Sequence, residues 1–149
     1  MRDKQMNYRT DSPEETHALG VKMGQAALPG QIYTLDGDLG AGKTVFAKGF
    51  AEGLGITEIV NSPTFTILQT YESGRMPLYH FDVYRIADPE EMDEIGYEDC
   101  FFGSGVTLVE WSELIEELIP PEAVRISITR VKGMEGNARE ITIENGFSA

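Results

Sequence analysis

Eight consecutive residues, Gly37-Asp38-Leu39-Gly40-Ala41-Gly42-Lys43-Thr44, satisfy the pattern G-x-x-x-x-G-K-[ST] at every required position. Each residue type in that pattern has a physical task. Glycines let successive backbone N–H groups curl around phosphate oxygens, so Leu39, Gly40, Ala41 and Gly42 form a cradle. A helix that follows turns its unpaired N-terminal amides toward the same anion. Lys43 is placed to reach the β- and γ-phosphates of a nucleotide, and the Thr44 hydroxyl to sit on a magnesium ion that bridges them. A glycine-rich turn that merely joins a strand to a helix is the plainer reading. The complete motif between a strand and a helix is far more restrictive than that.

Magnesium takes near-octahedral oxygen coordination, usually from one or two carboxylates together with phosphates and water. Thr44 therefore needs a carboxylate partner, and two are available. Glu110 ends the apolar run Val106-Thr107-Leu108-Val109, and ligands of open α/β sheets bind beyond the carboxyl ends of strands. Asp82 lies in the return strand of a hairpin. The ordinary reading is an acidic residue at a strand end for Glu110 and a charge on a polar face for Asp82; Glu110 has the context expected of a metal-side carboxylate. Trp111 is by type more often a core residue than a ligand contact, and its place directly after Glu110 equally suits a residue that shapes the pocket. Ser62, Thr64 and Thr66 offer hydroxyls where a loop could order around the γ-phosphate as a switch, or they simply start a strand. Ser12 is first a helix cap and second part of an N-terminal segment that could lie against adenine. The chain has no Asn-Lys-x-Asp motif to read guanine.

These groups need a scaffold. Residues 31–36 read as a short buried strand before the glycine loop, and 45–54 as a helix after it, closed by Gly55. Upstream, residues 7–10 suit an edge strand. Ser12-Pro13-Glu14-Glu15 is a helix start with cap, proline and capping-box glutamate, and that helix runs to about Leu28 with Leu19, Met23, Ala26 and Ala27 on its core face. Downstream, 67–71 and 77–85 alternate as a hairpin around 72–75. Asp88-Pro89-Glu90-Glu91 opens a helix over 89–95 that ends at Gly96, and its acidic run is a solvated face. Residues 106–111 form a nearly all-apolar strand, and Ser112 caps a helix reaching Leu118 before Pro120-Pro121. Residues 123–130 and 138–143 close the chain as two strands. A parallel phosphate-loop core with antiparallel hairpins predicts a mixed sheet in an α/β fold.

The 149 residues suit a single domain over 1–149, able to bury about 68–70% of the surface of its unfolded chain. One cysteine, Cys100, permits no internal disulfide and suits a reducing cytosol. With neither His17 nor His80 near it in sequence, it reads as a small buried apolar residue rather than a nucleophile. The N-terminus lacks an apolar stretch and no run of about 18 apolar residues occurs, so a soluble cytoplasmic protein without membrane association is expected. With 25 acidic residues against 12 basic ones, the formal charge is −13. That opposes independent binding to a nucleic-acid backbone.

Gly37 to Thr44, Ser62-Pro63-Thr64-Phe65, His80-Phe81-Asp82-Val83-Tyr84-Arg85 and Leu108-Val109-Glu110-Trp111 together resemble the successive blocks of the bacterial TsaE (YjeE) family, in order and spacing, over nearly the whole chain. The resemblance implies a phosphate-loop NTPase in a three-layer α/β/α sandwich. It also implies an ATPase needed for threonylcarbamoyl modification of the adenosine beside the anticodon of tRNA. In that pathway a TsaC-type enzyme makes threonylcarbamoyl-adenylate, TsaD with TsaB transfers the group, and a TsaE-like protein binds the TsaB–TsaD pair and resets it with ATP. By the same resemblance Lys43 binds phosphate, Thr44 and Glu110 hold magnesium, and Asp82 and Trp111 are needed for activity. Two other readings stay open. A small-molecule kinase would need an arginine-rich lid, for which only Arg75 and Arg85 are at hand. A docking module would use nucleotide binding without hydrolysis.

Overall fold

The computed structural model describes residues 5–37, 42–60, 67–131, 136 and 138–145. In chain order its elements are strand β1 (Gln5–Thr10), helix α1 (Pro13–Ala26), strand β2 (Ile32–Gly37), helix α2 (Lys43–Gly53), strands β3 (Leu68–Tyr71) and β4 (Leu78–Asp82), short helices α3 (Glu91–Ile95) and α4 (Tyr97–Phe101), strand β5 (Val106–Glu110), a 3-10 segment over Ser112–Leu118, and strands β6 (Val124–Arg130) and β7 (Arg139–Glu144).

The strands form one sheet in the order β1-β7-β6-β2-β5-β4-β3. The central β4, β5, β2 and β6 run parallel, and β3, β7 and β1 pair antiparallel. This is the mixed sheet expected from a phosphate-loop core flanked by hairpins. Strand β5 is buried at all five positions, because a central parallel strand is covered on both faces and must be apolar throughout. One face packs Met23, Phe46 and Phe50 from α1 and α2 on Tyr33, Leu35, Leu108 and Ile126. The other packs Met92, Phe101 and Ile115 on Ile32, Phe81 and Val109. The result is a three-layer α/β/α sandwich. Among the described residues no helix is long and apolar enough to cross a membrane.

The start of α1 follows its sequence signature. Ser12 Oγ accepts from the Glu15 amide at 3.1 Å, and the Glu15 carboxylate reaches back to the Asp11 amide at 2.7 Å. The helix stops at Ala26, short of Leu28, and Arg75 donates to the terminal carbonyls of Gly24, Gln25 and Ala27 at 2.6, 3.1 and 3.0 Å. Leu19, Met23 and Ala27 are buried as expected, but Ala26 is exposed. The contact with α2 is made through Gly20 and Gly24, which meet Gly49 and Gly53. A Cβ at Gly24 would strike the Phe50 carbonyl, and one at Gly49 the His17 carbonyl, so the two backbones touch. Ala26 lies two residues beyond Gly24, about 200° around the helix, and points away from this seam.

Three further differences are local. β4 ends at Asp82 rather than running to Arg85, because the Tyr84 amide turns back to Asp82 Oδ1 at 3.0 Å. α3 begins at Glu91, two residues late; Glu91 Oε2 accepts from the amides of Ala87 and Asp88 at 3.0 Å each, and Gly96 closes the helix at φ +76. Ser112 does not cap an α-helix: Trp111 precedes a kinked 3-10 segment, and the Ser112 donors are taken by Asp36. Cys100 is buried on α4, an element the sequence reading left out. Burial pushes its thiol pKa up, opposite to what a nucleophile needs.

Candidate functional site

Strands β2, β4 and β5 deliver their carboxyl ends side by side, and there a cavity of about 300 Å³ is lined by Gly42, Lys43, Thr44, Val45, Asp82, Glu110 and Trp111. A cavity of similar volume at the amino ends of β2 and β6, lined in part by Gln31, Phe101, Phe102 and Glu122, lies at the wrong end of a parallel sheet for a ligand of this fold class.

The register sets the first cavity. Glu110 pairs with Leu35 on β2 and with Asp82 on β4, so both carboxylates expected from the sequence meet where β2 leads into the glycine loop. Gly37 ends β2 at φ +151, where a Cβ would run into the Ile128 carbonyl of β6; only glycine permits that approach. α2 then starts at Lys43 behind Gly42, and among the described residues no side chain caps its N-terminal amides. Those amides are the donors that a helix start offers to an anion.

Lys43 is buried, and its ammonium stands 4.1 Å from the centroid of the Trp111 ring. Trp111 also stacks on Tyr84, ring centroids 4.7 Å apart. Its backbone is left-handed at φ +63, a conformation that costs a bulky residue about 1–3 kcal/mol. The next residue is held from β2: the Ser112 amide donates to Asp36 Oδ1 at 2.8 Å and its hydroxyl to Oδ2 at 2.5 Å. Burial raises the Asp36 pKa, and the two Ser112 bonds oppose the rise. Asp36 thus ties the start of the glycine loop to the turn that carries Trp111.

Burial also raises the pKa of Asp82, with the nearby Glu110 charge adding to the shift and the Tyr84 amide opposing it. Glu110 is 3% exposed, and its Oε2 lies 2.6 Å from His80 Nε2. Thr44 is exposed at the mouth. Among the described residues the oxygen ligands around the cavity are therefore a hydroxyl and two carboxylates, the hard-oxygen chemistry that magnesium takes.

Lys43, Thr44, Asp82, Glu110, Trp111 and Gly42, all expected from the sequence, come together in one cavity. Ser12 does not line it; its hydroxyl caps α1. Leu39, Gly40 and Ala41, and the switch candidates Ser62, Thr64 and Thr66, lie outside the described residues. Sequence reasoning missed Asp36, Ser112 and Tyr84, and gave His80 no role at the site. A histidine two residues before Asp82 on the same strand face was the available signal for the last of these.

The family model described as "Threonylcarbamoyl adenosine biosynthesis protein TsaE" matches residues 10–141. A Bacillus subtilis protein named tRNA threonylcarbamoyladenosine biosynthesis protein TsaE is 55% identical over 139 residues, covering 93% of this chain and 85% of its own length. A protein of the same name from Treponema pallidum is 46% identical, covering 89% and 95%. One from Rickettsia conorii is 37% identical, covering 91% and 76%. Among solved structures, the crystal structure of Bacillus subtilis YdiB superposes with a TM-score of 0.82 at 48% identity, over 97% of this chain and 88% of that one. The α/β sandwich is accordingly that of a phosphate-loop NTPase. With the model spanning nearly all of the sheet and both carboxylates of the cavity, the chain belongs to the TsaE family.

Proposed function

We propose that this chain is a single-domain, magnesium-dependent ATPase that supports threonylcarbamoyladenosine modification of tRNA, acting on a TsaB–TsaD complex in the cytoplasm so that it turns over repeatedly. The observation that carries this reading is the convergence of Lys43, Thr44, Asp82 and Glu110 on one cavity at the carboxyl ends of β2, β4 and β5. The family to which the chain belongs supports the pathway, and a charge of −13 fits a protein that leaves tRNA binding to its partners.

In this reading the amides of 39–42 and the N-terminus of α2 hold the phosphates, and the Lys43 ammonium moves from the Trp111 ring onto the β- and γ-phosphates. Asp82, made more basic by burial, orients the attacking water and accepts its proton. Thr44 and Glu110 are the residues that would hold magnesium, whose chemistry when bound is to neutralise charge across the β- and γ-oxygens. The adenine side falls to the N-terminal segment at Ser12. β1 ends at Thr10, paired with Arg139, which pairs with Arg130 at the carboxyl end of β6, and β6 runs parallel to β2, so Ser12 follows at the same end of the strands as Gly37. In this reading the Thr64 hydroxyl contributes to nucleotide binding.

No arginine finger is assigned in the site, and a phosphoryl transfer that gains one accelerates by about 10³–10⁵. Hydrolysis is accordingly slow for the protein alone and stimulated by TsaB–TsaD. Phosphate release measured with and without the purified pair tests this, and equal turnover in both would refute stimulation.

A further inference from the structure

Glu110 has a buried neighbour that its task at the cavity does not explain. His80 reaches it from β4, Nε2 to Oε2 at 2.6 Å, with the two side chains 1% and 4% exposed. His80 sits two residues before Asp82, and Asp82 is the register partner of Glu110, so the histidine approaches the carboxylate diagonally from one strand over. The other ring nitrogen, Nδ1, is buried and has no hydrogen-bond partner among the described residues.

An ionised carboxylate can only accept, so the contact places a proton on Nε2. Nδ1 is then either a lone pair without a donor or, in the imidazolium, an N–H without an acceptor. A buried polar atom left unmatched costs about 1–3 kcal/mol. Apolar side chains at Leu78 and Phe81 of the same strand are fully buried without that cost. Packing alone therefore gives no reason for a histidine at this position, whereas its side-chain hydrogen bond lands on the residue that ends β5.

We infer that His80 is a positioning residue for Glu110: the Nε2–H fixes the rotation of the carboxylate at the cavity wall, so that Glu110 meets the metal side of the nucleotide in one orientation. The inference rests on the proposed role of Glu110 as a magnesium-side carboxylate. Residues that orient a ligating group commonly change metal affinity by about 10–100-fold when removed.

The test is a magnesium titration at fixed non-hydrolysable ATP analogue, read by the fluorescence of Trp111, the only tryptophan in the chain. His80→Asn, whose amide stands in place of the unmatched Nδ1, is expected to raise the magnesium concentration for half-saturation by about 10–100-fold. His80→Gln, whose amide nitrogen stands in place of Nε2, is expected to return it toward the wild-type value. In a Glu110→Gln background His80→Asn should add nothing further. If Glu110→Gln shifts the titration and His80→Asn does not, His80 has no positioning role and the reading of Glu110 stands. If neither shifts it, both fall. A further loss from His80→Asn in the Glu110→Gln background would make His80 a packing residue only. Should His80→Asn fail to fold, ¹⁵N-histidine NMR of the unaltered protein decides, with His17 the only other histidine. A solvent-protected proton on His80 Nε2 is expected, and a bare Nε2 overturns the inference.

Discussion

The Lys43 ammonium rests on the face of the Trp111 indole, 4.1 Å from the ring centroid. A cation–π contact of this kind is worth about 0.5–2 kcal/mol, whereas each hydrogen bond to a charged group contributes about 1.5–3 kcal/mol. Two phosphates offered by a nucleotide therefore outweigh the ring. Adding Mg-ATP should change Trp111 emission as the ammonium leaves. Lys43→Ala should abolish that change and weaken binding by about tenfold or more, corresponding to about 1.4 kcal/mol. An unaltered fluorescence response in the variant would mean that the lysine does not move between ring and phosphate.

Asp82 stands at the cavity with a pKa raised mainly by burial. Both folded and unfolded chains bind its proton below the ordinary aspartate value of about 3.9. Between that value and the raised one the folded state holds more protons, so the stability that depends on the neutral carboxyl is lost as the pH climbs through the raised value. Asp82→Asn keeps an oxygen for the Tyr84 amide and removes the charge. Its melting temperature should match the parent protein in acid and exceed it at neutral pH, while ATP hydrolysis falls. Thermal unfolding across that range checks the sign, and a variant less stable than the parent at neutral pH would contradict it.

The glycine seam between α1 and α2 makes a separate stability prediction. The obstacles at Gly24 and Gly49 are backbone carbonyls, which cannot swing aside as a side-chain tip can. Gly24→Ala should therefore cost at least the ~1–3 kcal/mol typical of overpacking, despite alanine's better helix propensity. Urea denaturation of the variant is the measurement. A midpoint at or above that of the parent protein would show that the helices part easily.

The strand before the glycine motif and the helix that begins at Lys43 were legible because a short apolar run, glycine and lysine encode them locally. Glu110 was legible for the same reason, as the first charge after a buried run. His80 was not: hairpin alternation assigned β4 a polar face, and only the pairing of β4 with β5 shows that this face is buried. The role of Ser112 was misread because a serine before an acidic, leucine-rich stretch looks like a helix cap. Its donors go instead to Asp36, 76 positions away in sequence. Ala26 was placed in the core by apolar type, when the seam selects for the absence of a side chain.

Nucleotide choice can be read by thermal shift. A ligand at about 100 times its dissociation constant stabilises the folded state by roughly 2.7 kcal/mol. Mg-ATP should reach that shift at a concentration where Mg-GTP gives little. Equal shifts for the two would remove the adenine assignment.

The most direct test of the central claim is the number of modified tRNA molecules formed per TsaD in a reaction reconstituted from TsaC, TsaB and TsaD, with ATP and either this protein or its Glu110→Gln variant. Many turnovers are expected with the unaltered protein, and about one with the variant or with no addition. Full multiple-turnover modification when the protein is omitted would contradict the proposed function. The same result with Glu110→Gln, in protein that still binds ATP but no longer hydrolyses it, would leave a nucleotide-dependent docking module in place of an ATPase.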